Sequence, residues 1–199
     1  TEEPRRIPLI IRIICTVVVA AAIAGATTTD ISNPEKPPPG HTGGFGEPSC
    51  ISCHLGNDVN AFGGSVTIKG IPDRFIRGKH YPITVVLKAE ETEVAGFQIT
   101  ARYNAANDDQ YGKSAGKIRS INSRVTNTIG DNGVSYGHHT TQGLVTSSRD
   151  STSWSMEWIA PSKRTSVVFH VSANSGNGDN SPLSDLVYTS NEVTHPSPR

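Results

Sequence analysis

The 199-residue chain has few cysteines, few aromatic residues and no excess of charge of either sign. It contains three cysteines, and one of them, Cys15, lies in an apolar N-terminal stretch. The remaining two leave no disulfide framework of the kind that stabilises small secreted scaffolds. Eighteen basic residues balance 18 acidic ones, and no basic block follows the N-terminus. These absences exclude a disulfide-stapled scaffold and a basic nucleic-acid surface.

Signature motifs of several enzyme classes are also missing. The sequence has no H-E-x-x-H, P-loop or dinucleotide fingerprint, and no pair of carboxylates stands out as an acid and a base. Oxygen-bearing side chains cluster between Asn174 and Asp185, but they lack the ordered spacing of a calcium loop. We therefore predict that the protein is not an enzyme and has no small-molecule substrate.

The N-terminus has the features of a membrane anchor. Residues 7–26 are almost wholly apolar and match the length of about 20 helical residues that crosses a bilayer. Arg5, Arg6 and Arg12 lie at the N-terminal end, which the positive-inside rule places in the cytoplasm. A cleavable signal is the alternative, because Ala24-Gly25-Ala26 resembles a cleavage site. We favour retention, which predicts a single-pass protein of a bacterial inner membrane with a periplasmic domain.

A linker is predicted after the anchor domain of residues 1–26. Residues 27–48 are rich in Thr, Pro and Gly, and they include Pro37-Pro38-Pro39. This composition favours extended polyproline geometry. We expect a semi-rigid spacer that carries the domain away from the membrane or lies along a neighbouring subunit.

Residues 49–193 show the pattern of an all-β sandwich, with residues 194–199 as a short tail. Short runs of Val, Ile, Thr and aromatic residues alternate with Gly, Asn, Asp and Pro. Alternation with period two predicts that His170 faces solvent and that the core takes Phe97, Ile99, Ala101, Tyr103, Trp154, Met156, Trp158, Val167, Phe169 and Val171. We predict strands near 65–69, 81–89, 95–103, 117–125, 143–147, 153–159, 167–173 and 186–190.

The pentapeptide Cys50-Ile51-Ser52-Cys53-His54 has the C-x-x-C-H spacing at which a c-type haem is attached. Cys50 and Cys53 would form thioether bonds to the porphyrin, and His54 would bind the iron. We predict one covalent haem c at these three residues. A disulfide, an unoccupied motif and another metal are the alternatives.

A sixth iron ligand would come from another side chain. His139 is the first candidate, because it lies with His138 in a Gly-rich segment that we predict to be a flexible loop, and His41 is a further candidate. Two ordinary loop histidines are the alternative reading. Met156 lies between two tryptophans on a predicted core face, which favours a packing role over ligation.

Short motifs follow one another in a fixed order from Thr42 to Val193. They are Thr42-Gly43-Gly44-Phe45-Gly46-Glu47 before the cysteines, Gly64-Ser65-Val66, Gly70-Ile71-Pro72, Tyr81-Pro82, Gly96-Phe97-Gln98, Trp154 to Pro161, Ser172 to Gly178 and Asp185-Leu186-Val187-Tyr188-Thr189. This series resembles the bacterial Reeler-like domains, also called choice-of-anchor V. The resemblance implies an extracytoplasmic immunoglobulin-like β-sandwich with the cysteine motif on an N-terminal lead-in. Those proteins usually have a cleaved signal and a C-terminal anchoring element, whereas this sequence has only its N-terminal segment.

Anchor, linker and haem motif together predict an accessory subunit of a bacterial electron-transfer complex, of the photosynthetic reaction-centre or respiratory type. The haem would act as an electron relay. The alternative is a non-catalytic scaffold subunit whose β-sandwich stabilises the assembly without haem. The expected partners are membrane subunits of that complex and the lipid bilayer, through residues 7–26.

Overall fold

The computed structural model describes residues 36–198, whose regular structure consists almost entirely of β-strands. The predicted anchor, residues 7–26, and the first part of the predicted linker lie outside the described residues. Within residues 36–198, no helix has the length and apolar character needed to cross a bilayer. The strands are β1 (Gly64–Lys69), β2 (Arg74–Phe75), β3 (His80–Ala89), β4 (Val94–Tyr103), β5 (Lys117–Ser120), β6 (Val125–Ile129), β7 (Ser135–His139), β8 (Ser151–Ile159), β9 (Val167–Gly176) and β10 (Leu186–Pro196).

Two sheets form the fold. One has four strands in the order β1-β3-β8-β5, and the other has six in the order β2-β10-β9-β4-β7-β6. All paired strands run antiparallel except β2 and β10, which are parallel. That parallel pairing takes β10 to Pro196, so strand structure continues into the predicted tail. The predicted all-β class is confirmed for the described residues.

The core lies between the sheets and follows the predicted alternation. On β8, Trp154, Met156 and Trp158 are fully buried, while the residues between them are half-buried. From the facing sheet, Phe97 stacks on Trp154 with ring centroids 4.5 Å apart, and Phe169 meets Trp158 edge-on at 5.0 Å. Side chains of both sheets therefore fill one interior, which confirms the predicted sandwich.

The single strand predicted over 117–125 is wrong, because the structure has two strands there. Strand β5 pairs with β8 in the four-stranded sheet, and β6 pairs with β7 in the six-stranded sheet. Ile118 and Val125 are both buried, yet they are seven residues apart. An odd spacing would place them on opposite faces of a straight strand. The chain crosses from one sheet to the other between them, which lets both side chains reach the core.

The strand predicted over 143–147 is also wrong. The Thr141–Leu144 segment forms a 3-10 turn, and the side chain of Thr140 accepts a hydrogen bond from the backbone N–H of Gly143. The carbonyl of Gly143 accepts from the indole N–H of Trp154 at 2.8 Å. The backbone N–H and carbonyl of Gly143 are thus already hydrogen-bonded and are not available to a neighbouring strand. The prediction also omitted the two-residue strand β2 and strand β7, which has little apolar alternation.

Residues 38–49 pack along the outer face of the six-stranded sheet, and we call them the strap. The backbone N–H of His41 donates to the side-chain oxygen of Gln98 on β4, at 2.7 Å. Gly44 lies so close to β9 that a Cβ there would be 2.3 Å from the ring of His170. His170 was predicted to face solvent, but the strap covers it and leaves it half-buried. This part of the predicted linker therefore packs as part of the domain.

Candidate functional site

The C-x-x-C-H motif begins with one helical turn at the end of the strap. Cys50–Ser52 forms a 3-10 turn, and the backbone N–H groups of Cys53 and His54 both donate to the carbonyl of Cys50, at 3.1 and 2.9 Å. Positions i, i+3 and i+4 of a helical turn lie on one side of it. The two thiols, which are both free, and the imidazole therefore share a side of the turn.

The backbone of the first cysteine lies against β9. The backbone N–H of Cys50 donates to the hydroxyl of Ser172, a fully buried residue of β9, at 3.1 Å. Burial raises the pKa of the Cys50 thiol to about 11, and the hydrogen bond from Ser172 opposes this shift only in part. The thiolate is the form of cysteine that attacks electrophiles and binds metals. Burial at this position therefore favours the protonated thiol of Cys50 over the thiolate.

His54 is held at the start of β10 by a carboxylate. Its Nδ1 lies 2.6 Å from Oδ2 of Asp185, whose side chain is 5% exposed. Oδ1 of Asp185 is buried and has no hydrogen-bond partner among the described residues. Donation from Nδ1 places the free lone pair of the His54 ring on Nε2. Sequence reasoning missed Asp185 as a site residue, and its only signal is its place directly before the apolar start of β10.

The chain after His54 is hydrogen-bonded to the loop that precedes β10. The backbone N–H of Leu55 donates to the carbonyl of Pro182 at 2.8 Å, and the backbone N–H of Ser184 donates to the carbonyl of Leu55 at 2.7 Å. The side-chain amide of Asn57 donates to the carbonyls of Ser184 and Asp185, at 3.0 and 3.2 Å. The motif is therefore fixed on both sides of His54.

The motif has the donor set of a c-type haem site: two free thiols, and an imidazole whose Nδ1 is held by a carboxylate and whose lone pair is on Nε2. Beside the turn lies a groove of about 610 Å³ lined by Ile51, Leu55, Gly56, Asn57, Asp58, Ala61 and Phe62. Within residues 36–198, no three His, Cys, Asp or Glu side chains are grouped closely enough to hold a metal ion.

Two of the three histidines proposed as a sixth ligand lie in a strand. His138 and His139 belong to β7 and are buried, whereas we expected a flexible loop. Both ring nitrogens of His138 are used, at 2.7 Å from the carbonyl of His139 and at 2.9 Å from the hydroxyl of Thr128. Nδ1 of His139 accepts from the backbone N–H of Phe97 at 2.9 Å, which leaves the hydrogen on Nε2. The ring of His41 lies at the strap, with Nδ1 3.0 Å from the carbonyl of Pro38.

Acid is expected to destabilise the protein through His139. Burial, together with the charges on His138 and His54, lowers the pKa of His139 to about 4 against an ordinary value of 6.5. Between those two pH values the unfolded chain binds a proton that the folded chain does not, so the free energy of unfolding falls as the pH falls. The slope from this group approaches about 1.4 kcal/mol per pH unit. Urea unfolding at several pH values between 7 and 4 measures it.

The matched variant for this pH dependence is His139→Asn. The asparagine oxygen can replace Nδ1 as the acceptor for Phe97, but it does not titrate. Its free energy of unfolding should fall less steeply between pH 6.5 and pH 4 than that of the parent protein. An identical slope in both proteins would show that His139 does not control the acid sensitivity.

A cluster of exposed and half-buried apolar side chains lies beside the motif. It comprises the groove residues Ile51, Leu55, Ala61 and Phe62 together with Leu183, which pairs with Leu55, and we call it the Phe62 surface. Phe62 is 99% exposed, Leu183 56% and Leu55 44%. Sequence reasoning missed this surface, because Phe62 stands alone in a Gly-rich turn and the leucines come from two distant loops.

The charges around the Phe62 surface are acidic. Asp58 lines the groove, and Asp179 is exposed in the loop that carries Leu183. Residues 54–63 and 177–185, the two segments that form the surface, contain no lysine or arginine. The surface is thus an apolar centre with a negative border.

A second polar cluster holds the strap over the six-stranded sheet. Arg102 on β4 is 5% exposed and pairs with Glu47 of the strap, and the hydroxyl of Tyr136 on β7 bonds to both. The ring of Phe45 covers the guanidinium, whose carbon lies 5.0 Å from the ring centroid. Buried charges of opposite sign therefore join the strap to β4 and β7.

Of the comparisons with known proteins, only the comparison with solved structures finds similar proteins. No family model matches the chain, and no curated protein matches it. The human F-spondin reeler domain matches 70% of this chain and 92% of its own length, at 17% identity and a TM-score of 0.44. The Reelin-N domain of F-spondin matches 75% and 96%, at 18% identity and a TM-score of 0.45. The structure of AvmM, which catalyses macrocyclization in alchivemycin A biosynthesis, matches 69% of this chain and 90% of its own length, at 9% identity and a TM-score of 0.42. Reeler domains are thus among the solved structures similar to this chain, and membership of the bacterial choice-of-anchor V family stays a prediction.

Proposed function

We propose that this chain is a non-catalytic scaffold subunit that docks onto a membrane protein outside the cytoplasm. The Phe62 surface carries the proposal. Phe62 is 99% exposed and lies beside two exposed leucines. An exposed apolar patch of this kind is typical of a surface that binds a partner. Burying one such side chain contributes about 1.5–3 kcal/mol, so three together would supply a substantial part of the binding free energy.

The border of the surface favours a protein partner with a particular chemistry. Asp58 and Asp179 would face lysine or arginine side chains around an apolar centre on the partner. Anionic lipid headgroups would be repelled by the same carboxylates, and the lysines that bind such headgroups are missing from the two segments. The favoured partner is therefore an apolar protein surface bordered by basic residues.

The membrane context of the proposal comes from the sequence. The apolar stretch of residues 7–26 would tether the chain, and the positive-inside rule would place the sandwich in the periplasm. An electron-transfer complex of the photosynthetic or respiratory type remains the predicted assembly. In a scaffold role, the sandwich would orient or clamp subunits of that complex without a haem of its own.

Charge placed at the centre of the surface should release the partner. The full-length tagged chain is purified from solubilised membranes of its native host, and the membrane protein that accompanies it is identified by mass spectrometry. Phe62→Asp or Leu183→Asp should weaken that association at least tenfold, because each buries a charge where an apolar side chain fits. Carbodiimide should also join Asp58 of the parent chain to a lysine of the same partner.

Val145→Asp is the matched control, because Val145 is an apolar residue outside the Phe62 surface whose exposure, 63%, is similar to the 56% of Leu183. It should keep the partner at parental yield. Retention of the partner by Phe62→Asp would refute the docking site. Binding of the isolated parent chain to anionic vesicles through Phe62 would instead assign the surface to lipid.

A further inference from the structure

We infer that the Phe62 surface of one copy of this chain docks onto the opposite end of a second copy, so that the copies join head to tail. The receiving surface is formed by residues 74–79, from β2 to the residue before β3, and we call it the Ile76 surface. The inference rests on the docking role proposed for the Phe62 surface, and it names the partner. A second copy would carry the same predicted anchor, so it is itself a membrane protein of the kind proposed above.

The Ile76 surface is an exposed apolar side chain bordered by cations. Ile76 is 54% exposed, and Arg74, Arg77 and Lys79 are exposed around it in sequence. Asp73 is the single acidic residue of the whole loop from residue 70 to residue 79. This composition matches the partner that the Phe62 surface favours, which is an apolar surface with a basic border.

The charges of both surfaces are unpaired within one copy. None of the three cations of the Ile76 surface forms a salt bridge with a carboxylate of residues 36–198, and neither Asp58 nor Asp179 of the Phe62 surface forms one with a cation there. Opposite charges around two apolar centres attract the surfaces and set their orientation. Anionic headgroups would pair with the basic end alone, whereas a second copy covers both apolar surfaces in a single contact.

The Ile76 surface is held in a fixed shape by hydrogen bonds. The backbone N–H of Ile76 donates to the hydroxyl of Tyr81 at 2.8 Å. The backbone N–H of Lys79 donates to the carbonyl of Ile76 at 3.1 Å and closes a turn in which Gly78 has a φ of +70°. Two further backbone bonds, at 3.1 and 3.0 Å, join Gly78 and Lys79 to Ala160. The backbone that presents Ile76 is therefore already ordered, which lowers the entropic cost of docking.

The two surfaces lie at opposite ends of β10. Leu183 of the Phe62 surface closely precedes Leu186, where β10 begins, and Phe75, the neighbour of Ile76, pairs with Pro196, where β10 ends. A strand rises about 3.3 Å per residue, so the 11 residues of β10 separate the surfaces by roughly 33 Å. One copy cannot close this contact on itself. A contact between two different surfaces generates a ring or an open row of copies.

Capture between tagged copies is the first test. Two full-length chains with different tags are produced together in the native host, and the membranes are solubilised. Capture through one tag should recover the other, and Ile76→Asp or Phe62→Asp in both copies should lower that recovery at least tenfold, because each puts a carboxylate into an apolar contact. Ile129→Asp is the matched control, because Ile129 is 64% exposed on β6, outside both surfaces. It should keep the parental recovery.

Mixing the two blocked variants tests the direction of the contact. A Phe62→Asp chain still offers its Ile76 surface, and an Ile76→Asp chain still offers its Phe62 surface. Sedimentation velocity of the purified full chains in detergent should show each variant alone as a monomer and the mixture as a one-to-one pair that grows no further. Carbodiimide should join Asp58 of one copy to Lys79 of the other, and isotope labelling of one variant shows that the link is between copies. A mixture that stays monomeric while the parent chain self-associates would overturn the head-to-tail contact.

The inference and the docking proposal can fail separately. A parent chain that is monomeric at every concentration, with no recovery between tags, would overturn the inference. If Phe62→Asp then released a different membrane protein, the docking proposal would stand with another partner, and if it released none, both would fail. Binding of the parent chain to anionic vesicles that Ile76→Asp abolishes, without recovery between tags, would assign the basic end to lipid and also overturn the inference.

Discussion

Replacing Trp158 by alanine is expected to lower the free energy of unfolding by about 3–5 kcal/mol. Trp158 is fully buried and packs edge-on against Phe75 and Phe169, with centroid distances of 5.5 and 5.0 Å. Its indole N–H donates to the carbonyl of Ala115 at 3.0 Å. Truncation would remove the aromatic contacts, leave a cavity between the sheets and orphan a buried acceptor, and all three effects act in the same direction.

The measurement is urea unfolding followed by tryptophan fluorescence. The chain has only two tryptophans, so Trp154 remains as the probe in the variant. Phe62→Ala is the matched control, because it also removes an aromatic ring but from a side chain that is 99% exposed, and its stability should stay within about 0.5 kcal/mol of the parent. Equal losses in the two variants would show that the sandwich interior is not the main source of stability.

The interior was predictable because a β-strand has a fixed period. Strand β8 alternates two tryptophans and a methionine with serines and a glutamate, and only one assignment of faces buries the large residues. The predicted core role of Met156 is confirmed, since it is fully buried. Strand β7 has no such alternation, and its burial comes from its neighbours β4 and β6. Local pattern therefore could not identify it.

The covering of the outer face of the six-stranded sheet by the strap could not be predicted from the sequence. A polar residue at an outward position, such as His170, is predicted to be exposed to solvent. Nothing in its own strand reveals that a distant segment covers it. The strap is rich in Pro and Gly, which favours an extended chain but does not say what that chain lies against. Its attachment depends on contacts between residues far apart in sequence, such as Glu47 with Arg102.

The C-x-x-C-H motif shows the same limit for function. Spacing predicts which side chains share one side of a turn, and the structure places Cys50, Cys53 and His54 in such a turn. Spacing does not predict what that side faces. Ser172, which accepts from the backbone of Cys50, and Asp185, which holds His54, come from regions more than 100 residues later in the chain.

Replacing Glu47 by glutamine is expected to cost about 3–5 kcal/mol of unfolding free energy, although the change removes only a charge. The side chains of Glu47 and Arg102 are 12% and 5% exposed, so water cannot take over the role of the lost carboxylate. The guanidinium would keep Tyr136 and the ring of Phe45 but would be a buried cation without a counter-ion. The strap should therefore loosen together with the fold, and urea unfolding with proteolysis of residues 36–49 measures both.

Two further variants separate the charge effect from simple loss of packing. Glu47→Gln combined with Arg102→Met should recover much of the stability, because an apolar side chain at position 102 needs no counter-ion. Glu157→Gln is the control at a more exposed ion pair, because the partner of Glu157, Arg119, is 61% exposed. Loss of this pair should lower the free energy of unfolding by no more than about 1 kcal/mol. If Glu47→Gln costs no more than Glu157→Gln, the buried pair does not hold the strap, and apolar packing of Phe45 and the strap glycines must account for its attachment.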